Sequence, residues 1–414
     1  MRAHFARLLG TGLLLALPLV AQTVPYGQSV VSVFGNVAPG EGLWFVDRVS
    51  GASQSITGLL AAGSVGSGVN AVAIDPIDDR IWLGGMNSNG NTANQLNWVR
   101  LTGGVVSQFQ QFATITPATA QAIHAIVFDD NANPVFCAGT AAVFGGVFRA
   151  DRRTGIVTSL GAVASGTHTA LAKDSAGNVY VGMFGNGQVH VLAKALDGSL
   201  APPVLFGTVS NPNIAGLTFA PSDGIQPDQL FVVCSGPASP LVSVIPILGG
   251  GAGSAVATTQ TMLNWIDYDR RHNDLLLAQT SPDRVVRLAR GGGDTVLASI
   301  GNSNIGTPSC LDTNDGADGE VVVAPMILNG ALGPFDLELS TTAPPGSLVL
   351  LGTVAPAVQV LTIAVAGPDG RVFVKFPNLT VGVALPPGAL QMMAAWFDPS
   401  FNLQLGTPVA WPAL

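Results

Sequence analysis

One pattern recurs through most of the chain at intervals of about fifty residues, and it constrains the fold more than any other feature. VNAVAIDPIDDRIWLGG begins at Val69, HAIVFDDNANPVFCAG at His124 and HTALAKDSAGNVYVGM at His168. IAGLTFAPSDGIQPDQLFVVCSG begins at Ile214, NWIDYDRRHNDLLLAQ at Asn264 and TPSCLDTNDGADGEVVVAP at Thr307. Each is an apolar run, a polar turn and a second apolar run, which is the signature of a β-hairpin. A second, weaker hairpin follows the first five, as in GVFRADRRTGIVTSLG and VVRLARGGGDTVLASIG. The sixth has none of its own, but a matching piece, GLWFVDRVSGASQSITGLL, stands at the front of the chain, residues 42–60. Four strands per unit is the size of a propeller blade. The pattern predicts an all-β, six-bladed β-propeller whose last blade joins both ends of the chain, with seven blades if one degenerate unit is hidden.

Composition agrees. The chain has 51 Gly and 28 Pro in 414 residues, too many for a helical bundle. Only 10% of its residues are charged and 48% are apolar, the reverse of a disordered chain. Lys occurs only at Lys173, Lys194 and Lys375, and the formal net charge is −8, so no nucleic-acid partner is expected. Arg2 and Arg7 precede an apolar run from Leu8 to Val20 that ends at small Ala21. This layout predicts a signal peptide over residues 1–21 and a secreted, periplasmic or cell-surface product with no transmembrane segment in the mature chain. Cys137, Cys234 and Cys310 are too widely spaced for a metal knuckle and sit in apolar runs, as buried thiols do.

KDSAGNVYVG, Lys173–Gly182, resembles NHL-type repeats. More broadly, the pattern over residues 30–325 is similar to the six-bladed family that includes gluconolactonases and virginiamycin lyases. The resemblance implies the fold and no particular activity. After Pro325 the repeat stops. APPGSLVLLG (343–352), LPPGAL (385–390) and AAWFDPSFNLQLG (394–406) punctuate short strand-like runs that predict a small β-sandwich. These pieces resemble a tail module of exported planctomycete and myxobacterial proteins, although the Cys pair common in that module is missing. The organisation expected is therefore a signal peptide (1–21), a β-propeller (22–325) and a C-terminal β-sandwich (326–414) of an exported bacterial protein.

The first residue of each innermost strand should stand at one mouth of the central channel. Aligning those strands on the turn that follows gives Asn70, His124, His168, Ala215, Asn264 and Thr307, with Asn213 just before the fourth. Imidazole and amide groups there suit a polar ligand or a metal; the plainer account is that they solvate a wet channel. The lactonase resemblance implies carboxylates with Asn around one Ca²⁺, and this ring has no carboxylate. Glu41 and Asp283 fall in loops on the same side. The polar loop 86–95 is also placed there. His190 and His272 read as surface residues. DTNDGADGE supplies Asp312, Asn314, Asp315, Asp318 and Glu320, a candidate calcium loop that fails the EF-hand spacing and otherwise reads as a solvated turn. No nucleophile elbow, zinc-protease motif or phosphate loop is present. The function expected is a non-catalytic binding or scaffold module for an extracellular glycan or protein. The alternative is a metal-dependent lactonase- or lyase-like enzyme with His124 or His168 as base at the channel mouth.

Overall fold

The computed structural model describes residues 24–25, 27–34, 42–59, 69–77, 80–85, 94–115, 122–130, 132–139, 145–195, 198–270 and 272–300. Beyond these it describes residues 343, 344, 346, 347 and 366 and the strands that follow residue 306. Residues 1–21, the loops 35–41 and 86–93, and the turn 314–321 lie outside the described residues. Every described element is a β-strand. No described helix is long and apolar enough to cross a membrane.

β1 (Gln28–Phe34), β2 (Leu43–Asp47) and β3 (Ser53–Ser55) form an antiparallel meander. β4 (Ala71–Ile74), β5 (Ile81–Gly84), β6 (Gln95–Thr102) and β7 (Val105–Thr114) form the next. β8 (Ile123–Phe128), β9 (Pro134–Ala138), β10 (Gly146–Ala150) and β11 (Val157–Gly161) repeat it, as do β12 (Thr167–Lys173), β13 (Val179–Phe184), β14 (Gln188–Leu192) and β15 (Val204–Thr208). β16 (Ile214–Ala220), β17 (Gln229–Cys234) and β18 (Val242–Pro246) come next. A two-residue strand, β19 (Gly251–Ala252), then pairs in parallel with β15 before β20 (Ser254–Val256) completes the sheet of β16. β21 (Leu263–Asp269), β22 (Asp274–Gln279), β23 (Arg284–Ala289) and β24 (Asp294–Ser299) follow. β25 (Thr307–Thr313) then pairs with β1, giving the sheet order β25-β1-β2-β3.

The first strands of these sheets meet in succession. β4 packs on β8, β8 on β12, β12 on β16, β16 on β21, and β21 on β25, which in turn packs on β4. Antiparallel meanders set side by side on their first strands are the plan of a β-propeller. The inner strands approach closely: a Cβ on Gly216 of β16 would lie 2.9 Å from the backbone of Trp265 and Ile266 in β21. Bulky groups fill the space between sheets farther out. Trp82 is fully buried and meets Phe112 edge-on at 4.9 Å and Phe128 at 6.4 Å between centroids.

The Asp that closes most first strands is a turn residue. Asp75 Oδ1 accepts from the Ile77 N–H at 2.8 Å, Asp129 Oδ1 from the Asn133 N–H at 2.8 Å, and Asp174 Oδ1 from the Asn178 N–H at 2.9 Å. A short carboxylate that captures backbone donors a few residues on fixes the hairpin turn.

At the same end, a basic residue after the third strand of a sheet reaches back to the preceding sheet. Arg152, following β10, donates to Asp75 at 3.3 Å. Lys194, following β14, pairs with Asp130. Arg290, following β23, donates to the Pro221 carbonyl at 2.8 Å and to Gln229 at 2.9 Å. Arg48, following β2, donates to Asp269 at 2.7 Å with both side chains fully buried. That last pair joins residues 221 positions apart.

Nine strands follow: β26 (Val322–Val323), β27 (Ile327–Leu328), β28 (Phe335–Thr342), β29 (Leu348–Ala355), β30 (Gln359–Val365), β31 (Arg371–Leu379), β32 (Gln391–Phe397), β33 (Leu403–Leu405) and β34 (Val409–Ala410). β26, β27 and β31 pair with β28 in one sheet. The other runs β30-β29-β32-β33, with β34 also on β32.

Candidate functional site

A bulge recurs near the start of the first strands, and it decides which residues take the position expected at the channel mouth. Ile123 pairs with Ala138 and Ala125 with Cys137, so His124 is the extra residue between them. The same break leaves Thr169 between His168 and Ala170, Ala215 between Ile214 and Gly216, and Asn264 between Leu263 and Trp265. In β25 it falls at Ser309, between Pro308 and Cys310. Asn70, whose N–H donates to the Gly84 carbonyl at 3.1 Å, holds the corresponding place before β4. The ring by register is therefore Asn70, His124, Thr169, Ala215, Asn264 and Ser309. Bulges re-aim a side chain out of the pleat. Accordingly Asn70, His124, Thr169, Ala215 and Asn264 are all partly exposed, while the residues just before them, Val69, Ile123, His168, Ile214 and Leu263, are fully buried.

This corrects two members of the ring. His168 lies one position early and Thr307 two positions early. His168 occupies the buried slot that is aliphatic in the four neighbouring repeats, and its ring is fully engaged. Nδ1 lies 2.8 Å from the Gly139 carbonyl, to which it donates, and Nε2 accepts the Val163 N–H at 3.0 Å. Both nitrogens are spent on backbone, so no lone pair is left for a metal or a substrate proton. Burial lowers its pKa, against the hydrogen bond to Gly139.

His124 differs. Its ring makes no hydrogen bond among the described residues, and its pKa is lowered to about 4, first by desolvation and then by His168. It is a neutral imidazole at pH 7. The Asn70 side chain likewise makes no hydrogen bond among the described residues. Thr169 Oγ1 donates to the Ile214 carbonyl at 2.7 Å, tying the ring across two sheets. Asn213 lies just outside: its N–H donates to Asn211 Oδ1 at 3.1 Å and its carbonyl accepts from Ser235 at 2.8 Å.

Other candidates separate. Asp283 lies between β22 and β23, at the bulge end of its sheet, where desolvation raises its pKa against a hydrogen bond from the Ser281 backbone. His190 is not a plain surface residue. It is half-buried in β14, with Nε2 3.2 Å from Gln188 Oε1 and an enclosed Nδ1 that has no hydrogen-bond partner among the described residues. His272 caps the far turn, Nδ1 lying 2.7 Å from Asp269 Oδ2. Asp312 belongs to β25, in register with Val30, and not to a turn. Asn314, Asp315, Asp318, Glu320 and Glu41 lie outside the described residues. Among the described residues no three His, Cys, Asp or Glu side chains gather closely enough to hold a metal ion. Cys137 and Cys234 are buried free thiols.

Thr169 and Ser309 were legible in principle. Each ring residue stands five places before the turn position held by Asp75, Asp129, Asp174 and Asp269. Counting back from Asp174 reaches Thr169; matching His168 to His124 by residue type misses it.

No protein-family model matches the chain, and no curated protein does. Solved structures with a similar course include virginiamycin B lyase from Staphylococcus aureus, 11% identical with a TM-score of 0.41, covering 79% of this chain and 91% of that one. A candidate 6-phosphogluconolactonase from Bacteroides fragilis is 14% identical with a TM-score of 0.44, covering 69% and 97%. A candidate gluconolactonase is 15% identical with a TM-score of 0.41, covering 63% and 92%. At such identities and scores the likeness carries no weight for activity.

Proposed function

We propose that this chain is an exported binding protein: residues 22–325 a six-bladed β-propeller closed by both chain ends, residues 326–414 a β-sandwich, and residues 1–21 a signal peptide. The cyclic packing of the six first strands and the β25–β1 pairing support the closed ring. The ligand sits at the channel mouth and is uncharged and rich in hydroxyls, as an extracellular glycan is.

One observation carries the binding reading. The described mouth positions, Asn70, His124, Thr169, Ala215 and Asn264, are all uncharged and all partly exposed, and the Asn70 and His124 side chains make no hydrogen bond among the described residues. Amide and neutral imidazole groups donate and accept, which matches hydroxyls, and they bring no positive charge to balance a carboxylate or phosphate. Calorimetric titration of a hit from a glycan array tests it. His124→Ala and Asn70→Ala should each weaken binding by about tenfold, the loss of one hydrogen bond of ~1.4 kcal/mol. Saccharide binding unaffected by both variants would sink the proposal.

A lactonase- or lyase-like enzyme is the second reading, with the neutral His124 ring, which makes no hydrogen bond among the described residues, as its candidate base. The solved structures above include enzymes of those names. Turnover of a lactone that is lost in His124→Ala, with the fold intact, would establish it over the first. Metal analysis of the purified chain, with melting curves with and without EDTA, decides whether calcium is held by the candidate residues at 312–320.

A further inference from the structure

The sheet of β29, β30, β32 and β33 has two apolar faces, and only one is covered. Val349, Leu351, Ala394 and Trp396 on the first are between 0% and 8% exposed. The pairing fixes the second: Leu350 stands opposite Ile363 and Ala395, Ala395 opposite Leu405, Leu348 opposite Val365, and Gly352 opposite Val360. Successive side chains alternate across a pleat, so these residues share one face. There Leu348 is 40% exposed, Val360 52%, Ile363 56%, Val365 57%, Leu403 52% and Leu405 62%, around a partly buried Leu350 and a small central Ala395 that is 8% exposed.

We infer that this face is where a second copy of the chain docks, sheet on sheet about a twofold axis. Those six side chains leave roughly 500–600 Å² of apolar surface open on one sheet face, the upper limit of what monomers usually keep. With the partly buried Leu350, Met393 and Phe397 the face exceeds the ~600 Å² per partner at the lower end of stable interfaces. None of these positions is charged, so a charged partner would find nothing to pair with, whereas a copy brings an equally flat, uncharged face. Two such sheets pack at about 10 Å with interdigitated side chains, and a self-complementary patch is what a twofold interface requires. The inference is independent of the channel-mouth ligand.

Sedimentation equilibrium of the whole mature chain tests it, with Ile363→Lys and Leu405→Glu as variants. Both positions are exposed, so folding should survive; melting curves check this. The wild type should be dimeric at micromolar concentration, and each variant should raise the dissociation constant about a hundredfold or more. A wild-type chain that stays monomeric at ~100 μM would overturn the inference. So would a dimer that survives both substitutions. A monomer that cosediments with phosphatidylcholine vesicles, in a way both variants abolish, would instead make the face a lipid contact.

Discussion

His168 shows how a polar side chain can be structural at a place where chemistry was expected. Its ring bridges the Gly139 carbonyl and the Val163 N–H inside a slot that is aliphatic at Val69, Ile123, Ile214 and Leu263. His168→Leu would keep the volume but orphan the Val163 N–H, and we expect a loss of about 1–3 kcal/mol in urea unfolding. His124→Ala removes no hydrogen bond among the described residues and should cost less. Both rings have pKa values below 6.5 in the folded chain, about 4 at His124. Unfolding restores the higher value, so protons favour the unfolded state. Stability from these two groups is complete above about pH 6.5 and is lost as the pH falls toward 4. Calorimetry should show the melting temperature dropping between pH 7 and pH 5, and dropping less in the His124→Asn, His168→Leu double variant. The mouth residues were only partly legible because a bulge shifts the facing of a strand by one place. Asn70, His124 and Asn264 follow from any alignment, while Thr169 needs the count from the turn.

The strands themselves were easier to read than what fastens their sheets together. Alternating apolar runs and Asp or Gly turns foreshadow the hairpins, because a strand must bury one face and a turn must cap backbone donors locally. Arg48, Arg152, Lys194 and Arg290 carry no such local mark. Each has a partner in another repeat. Their worth should differ with burial. Arg48→Met leaves the buried Asp269 with Arg287 at 3.5 Å as its remaining cation, and a loss of about 2–3 kcal/mol is expected. The Lys194–Asp130 pair is about one-third exposed on each side, and Lys194→Met should cost less than about 1 kcal/mol. Gly216→Ala forces a methyl against the backbone of β21 and should cost about 1–3 kcal/mol. Denaturant midpoints for the three variants check this order. Burial that sets these values depends on which sheets adjoin, which no single segment reveals.

Taken as a molecule, the chain makes the first strands of its six-sheet region depend on the last. β1 needs β25 for its ladder, and Arg48 needs Asp269 for its charge. Removing residues 22–60 should therefore do more than delete three strands. The shortened chain is expected to lose its cooperative unfolding transition, which near-ultraviolet circular dichroism against urea would show. The repeat made this dependence visible as a missing hairpin at one end and a spare one at the other; the buried ion pair that reinforces it was not visible. The Arg48–Asp269 pair also has a kinetic meaning. A chain is synthesised from its N-terminus, and β1, β2 and Arg48 emerge long before the strand and the carboxylate they require exist. Contacts of such sequence separation form late and slowly. β1 to β3 must wait for the last repeat, so whatever guards the nascent chain must hold these three strands until synthesis has passed residue 313.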